Sequence, residues 1–458
     1  MRHRRGQGRT ARRHSLEGSI MKFDSTGDVY AYLNRFLNFE RRLEPTEYRL
    51  DRMQRLRELF GRLDDAYRVV HVAGSKGKGS TATMIAACLA EAGGTVGLYT
   101  SPHLLSFTER IAIGGVPVDD GTLLSCARDL AGTMDGESPA DFPGGEAPTY
   151  FELLTMLGFL CFRKAGCTDA VIEVGLGGRL DSTNVVTPAA CVITPIELEH
   201  TELLGATIPL IAYEKAGIIK PGVPVFTSAA RPEALDVIRA RARDLGAPLT
   251  VLDEAVSLDD IRVSAAGTSA VARWRDRSVF EAPMELRTPM IGRVQARNAA
   301  IAAMVAKSLG VDEPAILRGV GSARLRARFE IITGDPVVIL DGAHTEDSIR
   351  ACAEDFSALF PGGGSLLFGC AKDKPARPMA AALRPFFSSV IVTRPGTFKE
   401  SDTADIEAAF AAEGFEVARL DDTAKAIESA LGRASGAGMP LLVTGSFYLC
   451  AATAAIIG

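Results

Sequence analysis

The sequence lacks a long hydrophobic run, and this absence excludes one class of protein at once. The longest largely apolar run, Leu153 to Phe162, has ten residues and is followed by Arg163 and Lys164. A membrane-spanning helix needs about 20 apolar residues. No apolar segment follows the arginines near the amino terminus either, so we expect neither a membrane span nor a secretory signal.

Paired cysteines and an excess of positive charge are also missing. The eight cysteines are scattered and none forms a CxxC pair, so we expect a reduced, cytoplasmic protein without disulfides or a zinc site. The formal net charge is −5 over 458 residues, so binding of nucleic acid through bulk charge is not expected. With 47% hydrophobic and 23% charged residues, the composition is that of a globular protein with a large core.

The first twenty residues differ from the rest, because they hold six arginines and one glutamate. We interpret residues 1–20 as a disordered basic tail and leave them out of the fold. Met21 opens a more ordinary segment and is an alternative start. An arginine-rich organellar transit peptide is a weaker alternative.

Short β-rich runs alternate with helical segments along most of the chain. Strands are predicted at 68–73, 96–99, 169–174, 190–196 and 223–227, with helices at 80–92 and 151–164 between them. This rhythm is typical of a parallel α/β sheet. Residues 228–290 predict a small antiparallel β insertion, and a helix at 298–309 follows. The α/β rhythm then restarts, so we predict an ATPase-type domain at 21–296 and a Rossmann-like α/β domain at 297–458.

A glycine-rich loop lies between the first strand and the helix after it, and it runs Gly74, Ser75, Lys76, Gly77, Lys78, Gly79, Ser80. In this context, backbone N–H groups and the helix dipole face a phosphate group, and Lys78 would neutralise the β- and γ-phosphates. The strict G-x-x-x-x-G-K-[ST] pattern is not met. The alternative is a tight turn with two solvated lysines.

Polar residues also follow the other predicted strands. Ser101, His103 and Arg110 come after the second strand, where a hydroxyl could bind Mg²⁺ and the other two could contact an anionic substrate; the alternative is an ordinary polar loop. Glu173 ends an apolar strand, so we predict a Mg²⁺ ligand there, or else an ion pair with Arg179. His200 follows the next strand. A lone histidine is more often structural, but this one shares a strand-end position with Ser101 and Glu173. Lys215 lies at a predicted helix end and alone indicates a surface lysine or a partner of the helix dipole.

Eight strings in order resemble the Mur ligase superfamily, and most closely the folylpolyglutamate synthases and bifunctional dihydrofolate synthases. They are HVAGSKGKGS, LYTSPHLLSFTERI, IEVGLGGRLDSTNV, EHTELLG, EKAGIIKPGVPV, RFE, ILDGAH and LLVTGSFYL. The resemblance runs from about residue 30 to the carboxyl terminus. It implies an ATPase domain, a Rossmann-like domain and an active site in the cleft between them.

The resemblance also implies roles for individual residues. Ser101, Glu173 and His200 match ligands of a first Mg²⁺, and Lys215 matches a lysine that the family carbamylates and that then helps to hold a second Mg²⁺. Lys78 matches the phosphate-loop lysine. Arg328, Asp341 and His344 match nucleotide contacts, and Asn298 matches an asparagine near the adenine. On this basis the predicted catalytic residues are Lys78, Lys215 and His200, and the predicted substrate contacts are His103, Phe107 and Arg110.

The reaction that the resemblance implies is ATP-dependent amide ligation, in which L-glutamate is joined to folate, to dihydropteroate, or to both, through an acyl phosphate. A monomer is expected. The chain departs from the family at Ser75 and Lys76, at Glu197 and Glu199, at Thr345 and Glu346, and at Val294. The departures near His200 and after His344 leave one alternative open, a ligase of the same superfamily acting on a non-folate carboxylate. A second alternative, from another class, is a P-loop ATPase or nucleotide-binding regulator that forms no amide.

Overall fold

The computed structural model describes residues 22–38, 48–396 and 400–458, so the predicted basic tail at 1–20 lies outside the described residues. The amino-terminal half of the chain is built on an eight-stranded sheet in the order β4-β3-β2-β5-β1-β6-β7-β8. Strands β2, β5, β1, β6, β7 and β8 are parallel, as the alternating pattern predicts. The strands are β1 Arg68–Ala73, β2 Val96–Tyr99, β3 Ile111–Ile113, β4 Val116–Pro117, β5 Asp169–Glu173, β6 Ala190–Ile193, β7 Val225–Thr227 and β8 Leu249–Val251.

Helices cover this sheet, and their ends carry the expected signals. Thr149 begins the apolar helix α5 with a reciprocal capping box to Glu152, which satisfies backbone donors that the helix leaves unpaired. Helix α3 ends at Glu91, and Gly93 follows with φ +93°, in agreement with the predicted glycine stop. The helices are α1 Thr26–Leu33, α2 Asp51–Leu59, α3 Lys78–Glu91, α4 Asp120–Met134, α5 Tyr150–Lys164, α6 Thr201–Leu204, α7 Ile208–Ala216, α8 Pro232–Asp244 and α9 Leu252–Ala255.

The predicted β insertion is real, but its start at residue 228 is wrong. Residues 232–251 form α8 and β8, and β8 extends the main sheet in parallel with β7. The antiparallel sheet holds only β9 Val256–Ser264, β10 Gly267–Trp274 and β11 Met284–Thr288. The alternation of exposed and buried residues in β11 shows that this small sheet buries one face.

Two helices follow the small sheet, α10 Arg293–Ser308 and α11 Glu313–Ser322. The predicted helix at 298–309 therefore begins five residues earlier than expected. Both helices pack on α3, and their buried residues share one apolar core with α3 and β1. This packing argues against a domain boundary at residue 297. We propose that the boundary lies between Ser322 and Glu330.

The carboxyl-terminal part is a second α/β unit on a six-stranded sheet in the order β12-β13-β17-β14-β15-β16, parallel except for β12. Its strands are β12 Glu330–Ile332, β13 Val338–Leu340, β14 Ser365–Phe368, β15 Ser389–Val392, β16 Glu416–Arg419 and β17 Leu441–Thr444. Its helices are α12 Glu346–Leu359, α13 Ala376–Leu383, α14 Thr403–Ala412, α15 Thr423–Ala437 and α16 Phe447–Ile457. The two-unit α/β architecture that the sequence predicts is confirmed.

The cysteines and the helices bear on two further expectations. All eight cysteines are free and buried, where a thiol acts as a small hydrophobic side chain. In the part of the chain that the structure describes, no helix is both long and apolar enough to cross a bilayer.

Candidate active site

The glycine-rich loop joins β1 to α3 and has the shape that a phosphate site requires. Gly74 and Gly77 have φ of +142° and +80°, a region that favours glycine. Helix α3 begins at Lys78, two residues before the predicted start. Lys78 and the backbone N–H groups of Gly79 and Ser80 therefore belong to the first turn, where N–H groups lack helical partners.

The floor of this loop is held by a lysine from far along the chain. Lys215 is 1% exposed, and its Nζ donates to the carbonyl of Gly74 at 2.8 Å and to Glu199 Oε1 at 2.7 Å. Burial lowers the pKa of Lys215, and the Glu199 carboxylate opposes this. Burial would raise the pKa of Glu199, but the Lys215, Lys78 and Lys76 ammoniums outweigh it and hold that pKa well below its usual range. Lys215 is thus a buried structural cation, not a surface lysine.

Glu173 and Ser101 lie together at the ends of the neighbouring strands β5 and β2. The backbone N–H of Ser101 donates to Glu173 Oε2 at 3.2 Å. Burial raises the pKa of Glu173, and the charges of Lys78, Arg328 and Arg110 oppose this. The alternative pairing of Glu173 with Arg179 is wrong, because Arg179 pairs with Glu214 at 2.9 Å.

His200 lies beside the same group of charges. It precedes the short helix α6 with φ +46°. Although His200 is exposed at the surface, desolvation by the neighbouring protein lowers its pKa to about 4; Glu199 opposes this, and Lys374, Lys78 and Lys215 add to it. His200 is therefore neutral near pH 7, which is the form that can accept a proton or bind a metal.

The three predicted substrate contacts lie on the loop after β2, but with different exposure. Arg110 is 1% exposed and its Nε donates to His103 Nδ1 at 2.8 Å. Phe107 is buried, with its ring stacked on Tyr30 at 5.5 Å. Of the three, His103 is the half-buried one. The structure therefore favours a direct contact through His103, with Arg110 orienting its ring.

The carboxyl-terminal unit brings its predicted residues to the same loop. His344 Nε2 lies 3.3 Å from Lys76 Nζ, and His344 Nδ1 lies 2.8 Å from the carbonyl of Gly342. The Lys76 charge and burial lower the pKa of His344. A neutral ring with its proton on Nδ1 satisfies both contacts: it donates to Gly342 and accepts from Lys76. Burial in turn lowers the pKa of Lys76 to about 8.

Asp341 and Arg328 hold the base of this part of the site. The carboxylate of Asp341 accepts from the N–H groups of Phe329 and Ala343, each at 2.8 Å. Burial raises its pKa, and Arg328 is the strongest opposing charge. The guanidinium of Arg328 lies 5.5 Å from the centre of the Phe447 ring. Asp341 thus orders the backbone around Arg328 and His344.

Asn298 lies behind the phosphate loop. Its Nδ2 donates to Gln295 Oε1 at 3.0 Å, and its Oδ1 accepts from Thr81 Oγ1 at 3.4 Å. A Cβ added at Gly77 would lie 2.7 Å from Asn298 Oδ1. The side chain therefore packs on the loop, and contact with an adenine stays a prediction.

Sequence reasoning missed the roles of four residues. Glu199 pairs with Lys215, and Thr345 Oγ1 donates to Glu197 Oε2 at 3.2 Å. Lys374 lies near enough to His200 and His344 to lower the pKa of each. Glu197, Glu199 and Thr345 are among the departures from the pattern that the sequence resembles, and this is the signal that points to them. Lys374 carries no such signal, because a lysine in a polar loop is ordinary.

Oxygen atoms that could bind Mg²⁺ are present, although the described side chains do not form a complete set of ligands for the ion. Among the described residues, no group of three His, Cys, Asp or Glu side chains is close enough to hold a metal ion. Glu173 nevertheless offers a buried carboxylate that accepts from the backbone N–H of Ser101 and lies next to Gly79 of the phosphate loop. Mg²⁺ typically binds one or two protein oxygens together with substrate phosphates, so this donor set fits.

The chain is similar to known proteins over almost its whole length. Residues 327–447 match the family model "Mur ligase, glutamate ligase domain", whose start agrees with the boundary proposed above. The chain is 36% identical to the dihydrofolate synthase/folylpolyglutamate synthase of Bacillus subtilis, over 87% of this chain and 92% of that protein. It is 34% identical to the folylpolyglutamate synthase of Lacticaseibacillus casei, over 93% and 97%. The crystal structure of Mycobacterium tuberculosis folylpolyglutamate synthase complexed with ADP and AMPPCP superposes with a TM-score of 0.85 at 27% identity, covering 94% of this chain and 98% of that one.

Proposed function

The chain belongs to the family of folylpolyglutamate and dihydrofolate synthases within the Mur ligases, and from this premise we propose how its residues carry out the reaction. The protein is an ATP-dependent ligase that joins L-glutamate to a folate-type acid. One observation carries the assignment of the site: the Lys76–His344 contact joins the phosphate loop to the carboxyl-terminal unit. Both units therefore contribute to one active site.

The chemistry follows from the groups around the loop. A carboxylate oxygen of the acceptor attacks the γ-phosphorus of ATP, and ADP leaves with the electrons of the broken P–O bond. The backbone N–H groups at the start of α3, together with Lys78, stabilise the charge on the transferred phosphoryl group. The amine of glutamate, after losing a proton, then attacks the acyl carbon of the acyl phosphate, and inorganic phosphate leaves.

Mg²⁺ would be held by Glu173 and Ser101, with His200 nearby. When bound, it supplies positive charge that neutralises the nucleotide phosphates. The structural support is the buried carboxylate of Glu173, which burial disfavours in its charged form unless a cation is near.

Lys215 has two candidate roles, and a mass measurement separates them. As an unmodified ammonium it holds the loop through Gly74 and Glu199. As a carbamate, which the family resemblance implies, it would be an anion facing the Glu199 carboxylate. We propose the unmodified form, because Nζ donates to two acceptors and a carbamate nitrogen keeps only one N–H.

A ligation assay read by mass spectrometry tests the proposed function. Purified protein, ATP, Mg²⁺ and L-glutamate are offered dihydropteroate and tetrahydrofolate in separate reactions. We expect a mass gain of one glutamate in at least one reaction. Lys78→Ala should lower the rate by about 10²-fold or more, as loss of a group that stabilises transition-state charge usually does.

Lys425→Ala is the matched control, because Lys425 is an exposed lysine on α15 and its loss should leave the rate unchanged. Product in only one reaction would identify the acceptor. ATP hydrolysis without amide in both would contradict the folate assignment and favour a different acid. We also propose a monomer, since one chain supplies every residue of the site; light scattering during size-exclusion chromatography checks this.

A further inference from the structure

We propose that Glu197 and Thr345 are positioning residues that hold the carboxyl-terminal unit in register over the phosphate loop while glutamate reacts. This inference rests on the proposed ligase function. Neither residue reaches the reacting atoms in the mechanism above. The structure brings the two together across the cleft.

The direct contact between them crosses the cleft. Thr345 Oγ1 donates to Glu197 Oε2 at 3.2 Å. Glu197 follows β6 of the amino-terminal sheet, and Thr345 immediately precedes α12 of the carboxyl-terminal unit. Burial raises the pKa of Glu197; Lys76 and the Thr345 hydroxyl oppose this. The half-buried carboxylate thus depends on partners from both sides of the cleft.

Glu197 is also tied to the phosphate loop through its backbone. Its N–H donates to Ser75 Oγ at 3.0 Å, and Ser75 Oγ donates to the Glu197 carbonyl at 3.2 Å. The N–H of Ser75 donates to the carbonyl of Pro195 at 2.8 Å. A shift of Thr345 is therefore transmitted through Glu197 to the loop that holds the nucleotide, by contacts that are all visible in the structure.

Two further contacts lie on either side of this pair and also join the two units across the cleft. Lys76 meets His344 on one side, and Arg231 meets Asp347 at 3.5 Å on the other. Lys76, Glu197 and Arg231 follow the adjacent strands β1, β6 and β7, whereas their partners lie within four consecutive residues. The Arg231–Asp347 pair is exposed on both sides and contributes little, so the half-buried Glu197–Thr345 bond is the central contact.

The position of Thr345 explains what the contact does in the reaction. Thr345 follows His344, whose ring contacts Lys76, so loss of the Thr345 bond frees the segment that carries His344. A looser cleft admits water to the acyl phosphate, which then hydrolyses to acid and phosphate instead of forming the amide. We therefore expect ATP to be consumed without formation of the amide, together with a higher KM for glutamate.

The test measures ADP and amide formed in the same reaction. Thr345→Val removes the hydroxyl at nearly constant shape, and Glu197→Ala removes the acceptor. We expect each variant to raise the ADP-to-amide ratio and the KM for glutamate by about three- to tenfold, the scale of one ordinary hydrogen bond lost, with the KM for ATP changed less than about twofold. The hydroxyl of Thr345 also contacts the Ser348 hydroxyl at 2.8 Å, a contact that Glu197→Ala keeps. The double variant should therefore be no worse than Thr345→Val, because both substitutions remove the same bond across the cleft.

Two variants test whether the bond itself is responsible. Thr345→Ser keeps the hydroxyl and should return the ratio to that of the wild type, and Glu197→Gln keeps an acceptor and should be affected less than Glu197→Ala. Thr403→Val is the matched control, because Thr403 Oγ1 donates to Asp421 Oδ1 at 2.6 Å within the carboxyl-terminal unit alone. It removes a comparable bond away from the cleft and should leave the ratio unchanged.

The outcomes separate this inference from the proposed function. If the wild type forms no amide, the proposed function fails. If the wild type forms amide and the Thr345 and Glu197 variants, folded by thermal melting, keep its ADP-to-amide ratio, the positioning role is wrong. An equal change in Thr403→Val would also overturn it, since the effect would then be one of general stability. Glu197→Ala carries the test if Thr345→Val does not fold.

Discussion

At the scale of the residue, a buried ion pair in the amino-terminal unit allows the contribution of one charge to the free energy of unfolding to be measured. Arg52 and Glu152 are 3% and 2% exposed, and Arg52 Nε lies 3.2 Å from Glu152 Oε1. Glu152→Ala leaves a buried guanidinium whose remaining carboxylate partner, among the described residues, is Glu146. It also removes the acceptor for the N–H of Thr149. We expect a loss of about 3 kcal/mol in the free energy of unfolding, measured by urea denaturation.

The control for this prediction is an exposed ion pair in the small sheet. Arg273 and Asp259 pair at 2.8 Å with both side chains about half exposed. Asp259→Ala should cost less than about 1 kcal/mol. Equal losses for the two variants would mean that burial does not decide the contribution of the pair.

Single residues were also the level at which the sequence was least informative. Lys215 and Glu199 are sixteen positions apart in the sequence. Both are charged residue types, which usually lie at the surface. Their meeting in the core depends on α7 packing beneath the phosphate loop, which no local pattern encodes. For Glu173 the local pattern was more informative, because a carboxylate at the end of an apolar strand needs a cation wherever the strand lies; its role as a Mg²⁺ ligand stays a prediction.

At the scale of the element, the crossing of α11 over α3 depends on one glycine. A Cβ added at Gly319 would overlap the backbone of Cys88 in α3. Backbone atoms of a packed helix cannot move aside cheaply, so Gly319→Ala should destabilise the protein by about 1–3 kcal/mol. The urea midpoint measures this.

Gly321 lies two residues further along the same helix and supplies the matched comparison. A Cβ there would have its nearest neighbour, the carbonyl of Arg287, at an ordinary 3.6 Å. Because alanine favours a helix over glycine, Gly321→Ala should stabilise the protein by up to about 1 kcal/mol. A loss of stability in both variants would contradict the close-crossing argument.

Elements were predicted well where they were long and flanked by clear signals. The strands β1 and β2 have the predicted bounds, and α5 begins one residue early. The prediction failed at β8, a strand of three residues that is only partly buried. A short strand at a sheet edge has neither the apolar run nor the alternation that identifies longer strands, so α8 and β8 were assigned to the insertion.

At the scale of the whole molecule, Asp355 joins the two units and makes stability depend on pH. This residue of α12 accepts from the N–H of Arg293, the first residue of α10, at 3.2 Å. Burial raises its pKa from 3.8 to about 6. The unfolded chain therefore loses this proton first, and between about pH 4 and 6 the contribution of Asp355 to stability falls as pH rises.

Asp355→Asn removes this pH-dependent term and keeps an acceptor for Arg293. We expect the variant to be more stable than the wild type at pH 7.5, with the difference shrinking toward pH 4, as measured by urea midpoints across that range. Asp119→Asn is the contrast. The pKa of Asp119, which caps α4, is lowered by its hydrogen bond to Thr122, so its contribution is present above pH 4 and lost as pH falls. The same trend in both variants would refute the assignment.

The arrangement of the whole molecule was predicted only in part. The two α/β units follow from the alternation of strands and helices, but their boundary does not. Helices α10 and α11 follow the insertion and look like the start of a new unit, and their apolar faces do not reveal that α3 is the partner. That information is in the three-dimensional core, which forms only when residues far apart in sequence meet.

The lysine that holds the phosphate loop has a consequence for synthesis on the ribosome. The loop is complete as sequence by residue 80, yet its Gly74 carbonyl is held by Lys215, 141 residues later. Its cross-cleft contact, His344, comes later still. Translation proceeds from the amino terminus at about 5–20 residues per second, so a nascent chain carries an unfinished loop for several seconds. An emerging chain therefore lacks both of these contacts until Lys215 and then His344 have been added.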